Sequence, residues 1–592
     1  MPAPDNPAAP DFAPVPPAPI SWLQGATLAV LASLASLTLI GYRFGDSNHG
    51  ITVPILKRFM DRSLYSGDLL VATGDRFPTI FYRVLAALLP STDWVPFAYF
   101  TLYVVSIALT YAAVYRMAVW ASSGDRASGV VAVLLAMPVR TGLAGEALYR
   151  VAFSHSHLAS GLDLMALALF LEGRRVLPIL ILSLGVYNHA LYSLYLLVPF
   201  TLAMLWEAPA LPTATTLKRL ALAWIPVLPF LINAVAQGKP MTQEWLELLI
   251  LRSSHHSFPG AFGEALPDAV VWLFLGLAAA TRVESSRLKG LCVMIFATSL
   301  FFVLGTVFTE FVPLKAVLQF QPHRIWRFLS VVLLSFMAGD IVRLWRASPL
   351  MRLLAALYFL SIFASGLEQL GPLVLIAVYA ANRPPLPTWL RLLAAGVLVS
   401  LEWPDRTVLW TDYVVEFLRR LQNTQVFAIL GVGLIVGLAM SQKDRGRAQA
   451  LSVLAFILAV GPVFADNYRR AELRFEQGSF WAAQSWAQQS TPKTAVFLTP
   501  PKEAGFRVFS ERSIVGEWKD GTQQYFDDTF AKEWGRRMEI VMAKEFGAFT
   551  DEEVVALARQ FGADYIVGQG RRRKLPVAFN GGSTVVYSLP PR

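Results

Sequence analysis

The chain alternates between long apolar runs and short polar connections from residue 21 to residue 465. Some runs approach the roughly 20 residues that cross a bilayer as a helix, and others have about 12, which indicates tilted, broken or re-entrant segments. We predict a polytopic α-helical membrane domain over 21–465, with roughly 13 to 15 spans. The predicted spans cover residues 21–41, 95–118, 127–139, 157–171, 176–187, 190–206, 218–236, 267–281, 288–308, 325–343, 351–366, 370–381, 388–401, 425–440 and 449–465.

Composition favours a membrane protein over a large soluble helical protein. Of the 592 residues, 55% are hydrophobic and only 16% are charged, whereas soluble proteins carry about 25% charged residues. The lone cysteine, Cys292, excludes an internal disulfide. The net charge of +10 fits basic cytoplasmic loops, so no nucleic-acid partner is expected.

Basic loops set the predicted orientation, because cytoplasmic loops carry an excess of Lys and Arg. The basic loops that alternate with the spans are 116–126, 174–175, 218–219, 282–289, 343–352, 383–391 and 443–447. They predict a cytoplasmic N-terminus and an extracytoplasmic C-terminus, although Arg43, just after the first span, opposes this locally. Residues 1–20, rich in Pro and Ala, are predicted to be a disordered cytoplasmic tail. The last outer loop, 401–424, predicts a helix in the interface plane.

The composition changes near residue 466, where charge rises and long apolar runs stop. Residues 466–592 are predicted to form a small extracytoplasmic α/β domain. Strands are expected at 494–498, within 506–518, at 565–567 and at 584–588, and helices at 527–546 and 550–561. Thr550 with Glu553 three residues later is typical of a capping box.

The first outer loop, 42–94, carries the first candidate catalytic residue. Asp46 is the first acidic residue after the first span, and His49 follows three positions later. If residues 45–49 form one helical turn, the side chains of Asp46 and His49 share a face of that helix. Asp46 has the structural alternative of an N-cap or turn residue.

All seven histidines fall in or next to segments that the predicted orientation places on the outer side of the membrane. Ionisable groups at membrane depth usually mark a pathway or a site, and a cluster of cations suits a phosphate-bearing ligand. Each residue also has a structural alternative, as a core histidine or a snorkelling arginine. We find no Walker-type loop and no CxxC pair, which argues against an ATP-driven pump.

Four stretches carry a resemblance to a known class. They are FGDSNHGITVPILKRFMDRSLYSGD (44–68), RSSHHSFPG (252–260), TPKTAVFLTPP (491–501) and GFRVFSERSIVGEW (505–518). Together with an acidic residue just after the first span, they resemble bacterial membrane glycosyltransferases of the GT-C class. The resemblance implies a GT-C-like fold and a polyprenyl-phosphate-linked sugar as donor. It also implies that Asp46 activates the acceptor or helps to hold a metal, although Ser47, Asn48 and His49 stand where some members have a second acid.

These observations lead to a set of candidate roles. Asp46 is predicted to be the general base, with His49 assisting it or helping to hold Mg²⁺ or Mn²⁺. The donor phosphate is expected at one or both of two cationic groups, because fixed cations stabilise developing phosphate charge. These groups are Arg252, His255 and His256, and His323, Arg324 and Arg327. The predicted cavity-lining residues are Asp68, His155, His157, Asn188 and His189.

The predicted function is an inverting hexosyl- or pentosyltransferase of the bacterial inner membrane. It would pass a sugar from a polyprenyl-phosphate donor to a glycan, lipid or protein acceptor on the extracytoplasmic face. The 466–592 domain would bind or position that acceptor. Two alternatives remain from the sequence: a transporter or flippase for a lipid-linked glycan, and an inactive structural subunit with a GT-C-like scaffold.

Overall fold

The computed structural model of the protein describes 22–46, 48–138, 142–207, 213–236, 238–263, 265–363, 473–474, 480–569 and 573–590, with single positions between 371 and 378 and at 454. The predicted N-terminal tail, the interfacial helix at 401–424 and the span at 388–401 lie outside these residues. So do the spans at 425–440 and 449–465, apart from residue 454.

The helical domain consists of helices joined mostly by short turns. In chain order its helices and first strand are α1 (Trp22–Ile40), β1 (Tyr42–Arg43), α2 (His49–Met60), α3 (Phe81–Leu88), α4 (Val95–Ala121), α5 (Arg126–Ala136), α6 (His155–Leu171), α7 (Val176–Trp206), α8 (Ala214–Trp224), α9 (Leu228–Ala236), α10 (Gln243–Ser257), α11 (Ala265–Ala280), α12 (Ser285–Thr306), α13 (Lys315–Phe320), α14 (Trp326–Ala347) and α15 (Pro349–Phe363).

Among the described residues, five helical segments are long and apolar enough to cross a membrane. They are Thr92–Ala121, Val176–Trp206, Ala214–Ala236, Arg287–Phe311 and Lys315–Ala347. Shorter apolar helices include α5, α6, α11 and α15. The predicted polytopic α-helical fold is therefore confirmed.

The predicted spans at 176–187 and 190–206 are one helix with a break, which corrects the prediction of two spans. α7 contains 31 residues, or roughly 46 Å of helix if it were straight. His189 interrupts it with φ of −150° and ψ of 92°. The break lies at the position where the sequence predicted a boundary.

α4 is the central helix and packs against α1, α5, α6 and α14. Tyr99, Tyr103 and Tyr111 lie on one face of α4, at a spacing that aligns side chains along a helix, and all three are buried. The Tyr111 hydroxyl is 2.7 Å from both Ser36 Oγ and Tyr149 Oη. This face thereby ties α1 and the loop before α6 to the core.

The C-terminal residues form a small α/β domain, as predicted. Its elements are α16 (Trp481–Ser490), β3 (Val496–Leu498), α17 (Phe506–Ser510), β4 (Ser513–Ile514), α18 (Asp528–Val541), α19 (Asp551–Gln560), β5 (Tyr565–Gln569), β6 (Val577–Asn580) and β7 (Thr584–Ser588). The sheet order is β4-β3-β5-β7-β6, with β3 parallel to β4 and β5, and β7 antiparallel to β5 and β6. The capping box of Thr550 and Glu553 is present at α19.

The strand predicted within 506–518 is present as β4, whereas the elements α16, α17 and β6 were not predicted. Residues 506–510 form the short helix α17 before β4, because Glu517 accepts hydrogen bonds from the N–H groups of Gly505 and Phe506 at the start of that helix. The edge strand β6 was not predicted, and its residues are half-buried or exposed.

A two-stranded parallel sheet joins the two domains. β1 pairs with β2 (Leu473–Arg474), so that Tyr42 lies beside Leu473 and Arg43 beside Arg474. Phe44 N–H also donates to Arg474 O at 2.7 Å. The base of the first outer loop is therefore attached to the chain that leads into the C-terminal domain.

Candidate functional site

Asp46 lies on an exposed turn between β1 and α2. Gly45 precedes it with φ of +88°, and a Cβ there would lie 2.9 Å from the Phe509 ring, so the turn favours glycine. The Asp46 carboxylate is 3.7 Å from Arg43 Nη1, and its side chain is 46% exposed. α2 begins only at His49, so the two side chains do not share a helix face.

His49 is fully buried beneath this turn. Its Nδ1 accepts a hydrogen bond from Gly45 N–H at 2.9 Å, and its Nε2 donates to Phe153 O at 2.9 Å. Burial lowers the pKa of His49 to about 3, so the ring is neutral. Because both ring nitrogens are occupied, His49 fixes the turn, and the geometry does not support its predicted role as a metal ligand or as an assistant to Asp46.

An inner cluster forms around Glu146, in the loop between α5 and α6. Its carboxylate lies 2.5 Å from Arg324 Nη2 and 3.2 Å from Arg327 Nη1, and it accepts a hydrogen bond from the Tyr192 hydroxyl at 2.5 Å. Burial raises the pKa of Glu146, but Arg324, Arg327 and Tyr192 outweigh this and lower it to about 2. The inner cluster therefore holds one carboxylate against two guanidinium groups.

A second set of cations groups around Lys519, which interacts with Asp46. We call Arg150, Arg252 and Lys519 the outer cations. Arg252 Nε donates to Trp518 O at 2.9 Å, and Arg150 Nη2 donates to Gly145 O at 2.8 Å. Burial and the charges of Arg252 and Arg150 lower the pKa of Lys519 to about 8, and Asp46 acts in the opposite direction.

The outer cations lack carboxylate partners within the part of the chain that the structure describes. None of the three forms a salt bridge there. Positive charges held together at a domain junction favour an anion, because a bound anion relieves their repulsion.

The segment 142–146 links the two sets of cations. His256 Nδ1 donates to Ala144 O at 2.7 Å, and a Cβ at Gly145 would lie 2.9 Å from the His256 ring. Burial, followed by the charge of Arg324, lowers the pKa of His256 to about 3. The predicted groups 252–256 and 324–327 therefore meet around one loop, and His256 is a neutral packing residue there.

His255 lies beside His256 on α10, with ring centroids 4.0 Å apart. Burial lowers the pKa of His255, and the charges of Arg252 and Arg324 lower it further. His255 is exposed, so it remains available to a ligand at the outer cations.

The predicted cavity-lining residues on α6 and α7 lie beside the inner cluster. The ring of His189 lies 4.1 Å from that of Tyr192 and 5.4 Å from that of His155. Within the described residues, Asn188 Oδ1, His189 Nδ1 and His157 Nδ1 are buried without a hydrogen-bond partner. The break in α7 therefore places polar atoms next to the Arg327–Glu146 pair.

Two predicted site residues lie elsewhere. His323 packs edge-on against Phe262 and Phe302, and its Nε2 lies 3.3 Å from Thr306 Oγ1. Asp68 is buried in the C-terminal domain's ion-pair network, 2.6 Å from Arg507 Nε. His323 therefore faces α12 and does not join the predicted phosphate-binding group. Asp68 joins the two domains and does not line the predicted cavity.

The carboxylate and imidazole groups near Asp46 do not fit a divalent metal site. Within the described part of the chain, no three His, Cys, Asp or Glu side chains are grouped as Mg²⁺ or Mn²⁺ would require. His49 has no free ring nitrogen, and Asp46 has Arg43 as a neighbour. The described residues therefore do not support the predicted Mg²⁺ or Mn²⁺ at Asp46 and His49.

Sequence reasoning missed Glu146, Tyr192 and Lys519. Glu146 stands in a Gly-containing loop, GLAGEALYR, that ends in the cation Arg150, and this was the available signal. Tyr192 looked like one of many apolar residues of a span. Lys519 is distant in sequence from Asp46, and only the docking of the C-terminal domain brings the two together.

Comparison with known proteins gives one family match and similar crystal structures. A family described as "Domain of unknown function (DUF6798)" matches residues 479–541, a small part of the chain that includes Arg507 and Lys519. No curated protein matches the chain.

Two similar structures are both of ArnT from Cupriavidus metallidurans. The apo structure has a TM-score of 0.42 and 14% identity, over 96% of this chain and 97% of that chain. The structure bound to undecaprenyl phosphate has a TM-score of 0.43 and 15% identity, over 96% and 98%. TM-scores of this size do not establish a common fold, so the function has to be inferred from the side chains of this chain.

Proposed function

We propose that the chain is an integral-membrane, inverting glycosyltransferase that moves a sugar from a polyprenyl-phosphate donor to an acceptor on the extracytoplasmic face. The observation that carries the proposal is the juxtaposition of an exposed carboxylate, Asp46, with three cations that lack carboxylate partners in the described part of the chain. Transfer from a lipid phosphate needs a base for the acceptor and positive charge for the leaving phosphate.

The outer cations hold the donor phosphate in this proposal. Lys519 and Arg252 are half-buried, so their charges act in a medium of reduced polarity. The inner cations Arg324 and Arg327 are already balanced by Glu146, and they position the 142–146 segment. Arg252 therefore retains its predicted role as a phosphate-binding residue. Arg150 and Lys519 take the role that the sequence had assigned to the 323–327 group.

Asp46 acts as the general base. It accepts the proton of an acceptor hydroxyl as that oxygen bonds to the anomeric carbon of the sugar. The bond between the anomeric carbon and the phosphate oxygen breaks, and its electrons leave with the lipid phosphate. A single displacement of this kind inverts the anomeric centre. The acceptor is a glycan, lipid or protein hydroxyl.

The test uses the full-length protein in liposomes with labelled polyprenyl-phosphate sugars and a membrane extract as the acceptor source. Wild type is expected to release sugar-free polyprenyl phosphate. Asp46→Asn is expected to lower this rate at least about 100-fold while the melting temperature and lipid binding stay unchanged, because the side chain is exposed. Asp75→Asn is the matched control, since Asp75 is an exposed acid of the same loop.

A different result would favour the flippase. If the labelled lipid crosses the bilayer with its sugar attached, and Asp46→Asn crosses it equally well, the chain is a transporter and the glycosyltransferase proposal is wrong. If neither release nor crossing occurs and the chain co-purifies with a partner, the inactive-subunit alternative stands.

A further inference from the structure

A groove of about 390 Å³ lies between the C-terminal end of α2 and the helix α3. Its lining side chains are Phe59, Met60, Arg62, Asp75, Arg83, Ala86 and Ala87. The charged side chains among them are each more than half exposed, so the groove is open to a ligand. None of the lining residues belongs to the inner cluster or to the outer cations, so the proposed transfer reaction does not use this groove.

Two guanidinium groups converge on one aromatic ring in this groove. The guanidinium carbons of Arg62 and Arg83 lie 5.3 Å and 5.4 Å from the centroid of the Phe59 ring, and a ring face attracts cations at such distances. The Asp75 carboxylate is 3.5 Å from Arg62 Nη1 and 3.6 Å from Arg83 Nη2. Exposed ion pairs of this length are weak. One carboxylate against two guanidinium groups therefore leaves one net positive charge in the groove.

The helix α3 presents an apolar face beside the groove. Ile80, Val84 and Leu88 stand four residues apart, so their side chains share one face of the helix. They are 52%, 50% and 74% exposed, whereas Tyr82 and Leu85 of the same helix are buried against the protein. Within the part of the chain that the structure describes, this apolar face is therefore open.

The position of α3 along the chain indicates what covers this face. The apolar membrane-spanning segment Thr92–Ala121 begins shortly after α3 ends. Trp94 and Phe97, at the start of this segment, are 50% and 60% exposed, and exposed aromatic residues at the end of a span are typical of the membrane–water interface. The bilayer surface therefore lies at the C-terminal end of α3, where acyl chains can cover its apolar face.

The charge of the groove indicates the chemistry of the lipid headgroup. Guanidinium groups bind phosphate through parallel hydrogen bonds, and basic residues next to a bilayer attract anionic headgroups. One net positive charge matches a headgroup with one net negative charge. A zwitterionic headgroup is a poorer match, because its own ammonium group already balances its phosphate.

We propose that Arg62 and Arg83 bind the headgroup phosphate of an anionic phospholipid of the surrounding bilayer, whose acyl chains lie along the apolar face of α3. The bound lipid fixes α3 at the bilayer surface and thereby supports the first outer loop, which also carries Asp46. This inference goes beyond the proposed function and does not depend on it.

The test uses the full-length protein in phosphatidylcholine nanodiscs that contain a small fraction of a photoactivatable lipid. This lipid is phosphatidylglycerol in one sample and phosphatidylcholine in the other, with the same diazirine on the acyl chain. Mass spectrometry of the crosslinked peptides locates the label. In wild type, phosphatidylglycerol is expected to label residues 80–97 about fivefold more than phosphatidylcholine does.

The double variant Arg62→Gln/Arg83→Gln should lose this preference and keep the wild-type melting temperature, because both side chains are exposed. Lys532→Gln/Arg536→Gln is the matched control, since it removes two exposed cations of the C-terminal domain and changes the net charge equally. It should keep the preference. Val84→Ser/Leu88→Ser should lower the labelling of 80–97 by both lipids, because it weakens the contact of α3 with acyl chains.

Equal labelling of wild type by the two lipids would overturn the inference, and so would a preference that survives the loss of both arginines. Displacement of the phosphatidylglycerol label by an equimolar amount of undecaprenyl phosphate would assign the groove to the isoprenoid lipid. Displacement by glycerol phosphate would assign it to a soluble phosphate, and either result would overturn the phospholipid assignment. The proposed function is tested separately, by the release of sugar-free polyprenyl phosphate.

Discussion

Glu146 sets the charge of the inner cluster, because it faces two arginines in a buried position. Its side chain is 4% exposed, and that of Arg327 is 3% exposed. Removing one partner of a buried ion pair leaves the other charge without compensation, which destabilises a protein by about 3–5 kcal/mol. The charge balance of this cluster therefore depends on one residue that the sequence did not single out.

Glu146→Gln should accordingly lower the melting temperature of the detergent-solubilised protein by several degrees. Glu207→Gln is the control, since its pair with Arg175 is largely exposed on the Glu207 side and should contribute about 0–1 kcal/mol. The double variant Glu146→Gln/Arg324→Gln should recover part of the loss, because it removes one of the two uncompensated charges. Equal melting temperatures for Glu146→Gln and Glu207→Gln would contradict this account.

Lys519 should make lipid-phosphate binding depend on pH. Its pKa in the free protein is about 8, so the ammonium is present at pH 7 and is lost as pH rises through 8. Affinity for undecaprenyl phosphate should fall about tenfold between pH 7 and pH 9. Lys519→Arg, which stays charged, should flatten the profile, whereas Lys502→Arg, an exposed lysine of the same domain, should leave it unchanged.

A flat wild-type profile, or a Lys519→Arg profile as steep as that of wild type, would remove Lys519 from the phosphate site. Calorimetry or fluorescence titration at each pH measures the affinity directly.

The sequence identified charged residues better than it identified their roles. Arg252 and His255 were predicted in one cationic group and Arg324 in another, and the structure brings the two groups together around residues 142–146. Whether a histidine faces a ligand or the backbone depends on contacts with distant residues. His49 bonds to Phe153, far away in the chain, and no local pattern predicts such a contact.

The turn between β1 and α2 presents Asp46, and Gly45 determines its shape. Gly45→Ala adds backbone strain at a φ of +88° and a Cβ 2.9 Å from Phe509. Gly582→Ala adds similar strain at a φ of +84°, with nothing within 4 Å of the new Cβ. Comparing the two separates the contact from the strain, which costs about 1–2 kcal/mol in both.

Gly45→Ala should therefore reduce sugar transfer at least tenfold, because the turn has to shift away from Phe509 and carry Asp46 with it. Gly582→Ala should lower stability modestly and leave transfer within about twofold of wild type. Transfer rates and melting temperatures of both variants provide the check. Wild-type transfer by Gly45→Ala would mean that the position of Asp46 does not matter.

Elements with a strong local signal were predicted well. β7 was predicted at 584–588 and is Thr584–Ser588, and α19 follows the capping box of Thr550. α17 and β6 were missed because their stability comes from tertiary contacts. The N–H groups at the start of α17 are satisfied by Glu517, and β6 is an edge strand paired to β7 without an apolar run of its own.

The two domains are held together by a buried network around Arg507. Its guanidinium lies 2.6 Å from Asp68 of the outer loop, 2.7 Å from Asp520 and 3.7 Å from Glu517, and all four side chains are at most 2% exposed. Lys57 of α2 adds a second link to Glu511 at 2.7 Å. This docking brings Lys519 to the site, so the outer cations depend on the network.

The network has one guanidinium and three carboxyl groups, and one of these carboxyl groups, that of Glu517, keeps its proton at neutral pH. Burial raises the pKa of Glu517 to about 8, and Asp520 contributes to the rise while Arg507 opposes it. In the unfolded chain this group titrates near 4.5. Since the folded state binds the proton more tightly, the stabilisation is fully present below pH 4.5 and is lost as pH rises through about 8.

Residues 505–525, which surround Glu517, should therefore open more easily as pH rises from 5 to 8, by up to about 1.4 kcal/mol per pH unit. Glu517→Gln should flatten this dependence, because glutamine is neutral at every pH and still accepts the hydrogen bonds of Gly505 and Phe506. Glu545→Gln, at an exposed acid of the same domain, should keep the wild-type slope. Hydrogen exchange over residues 505–525, corrected for the intrinsic effect of pH, measures the opening. If the wild-type opening free energy is constant from pH 5 to pH 8, the network does not hold a proton and the domains are fastened by its charges alone.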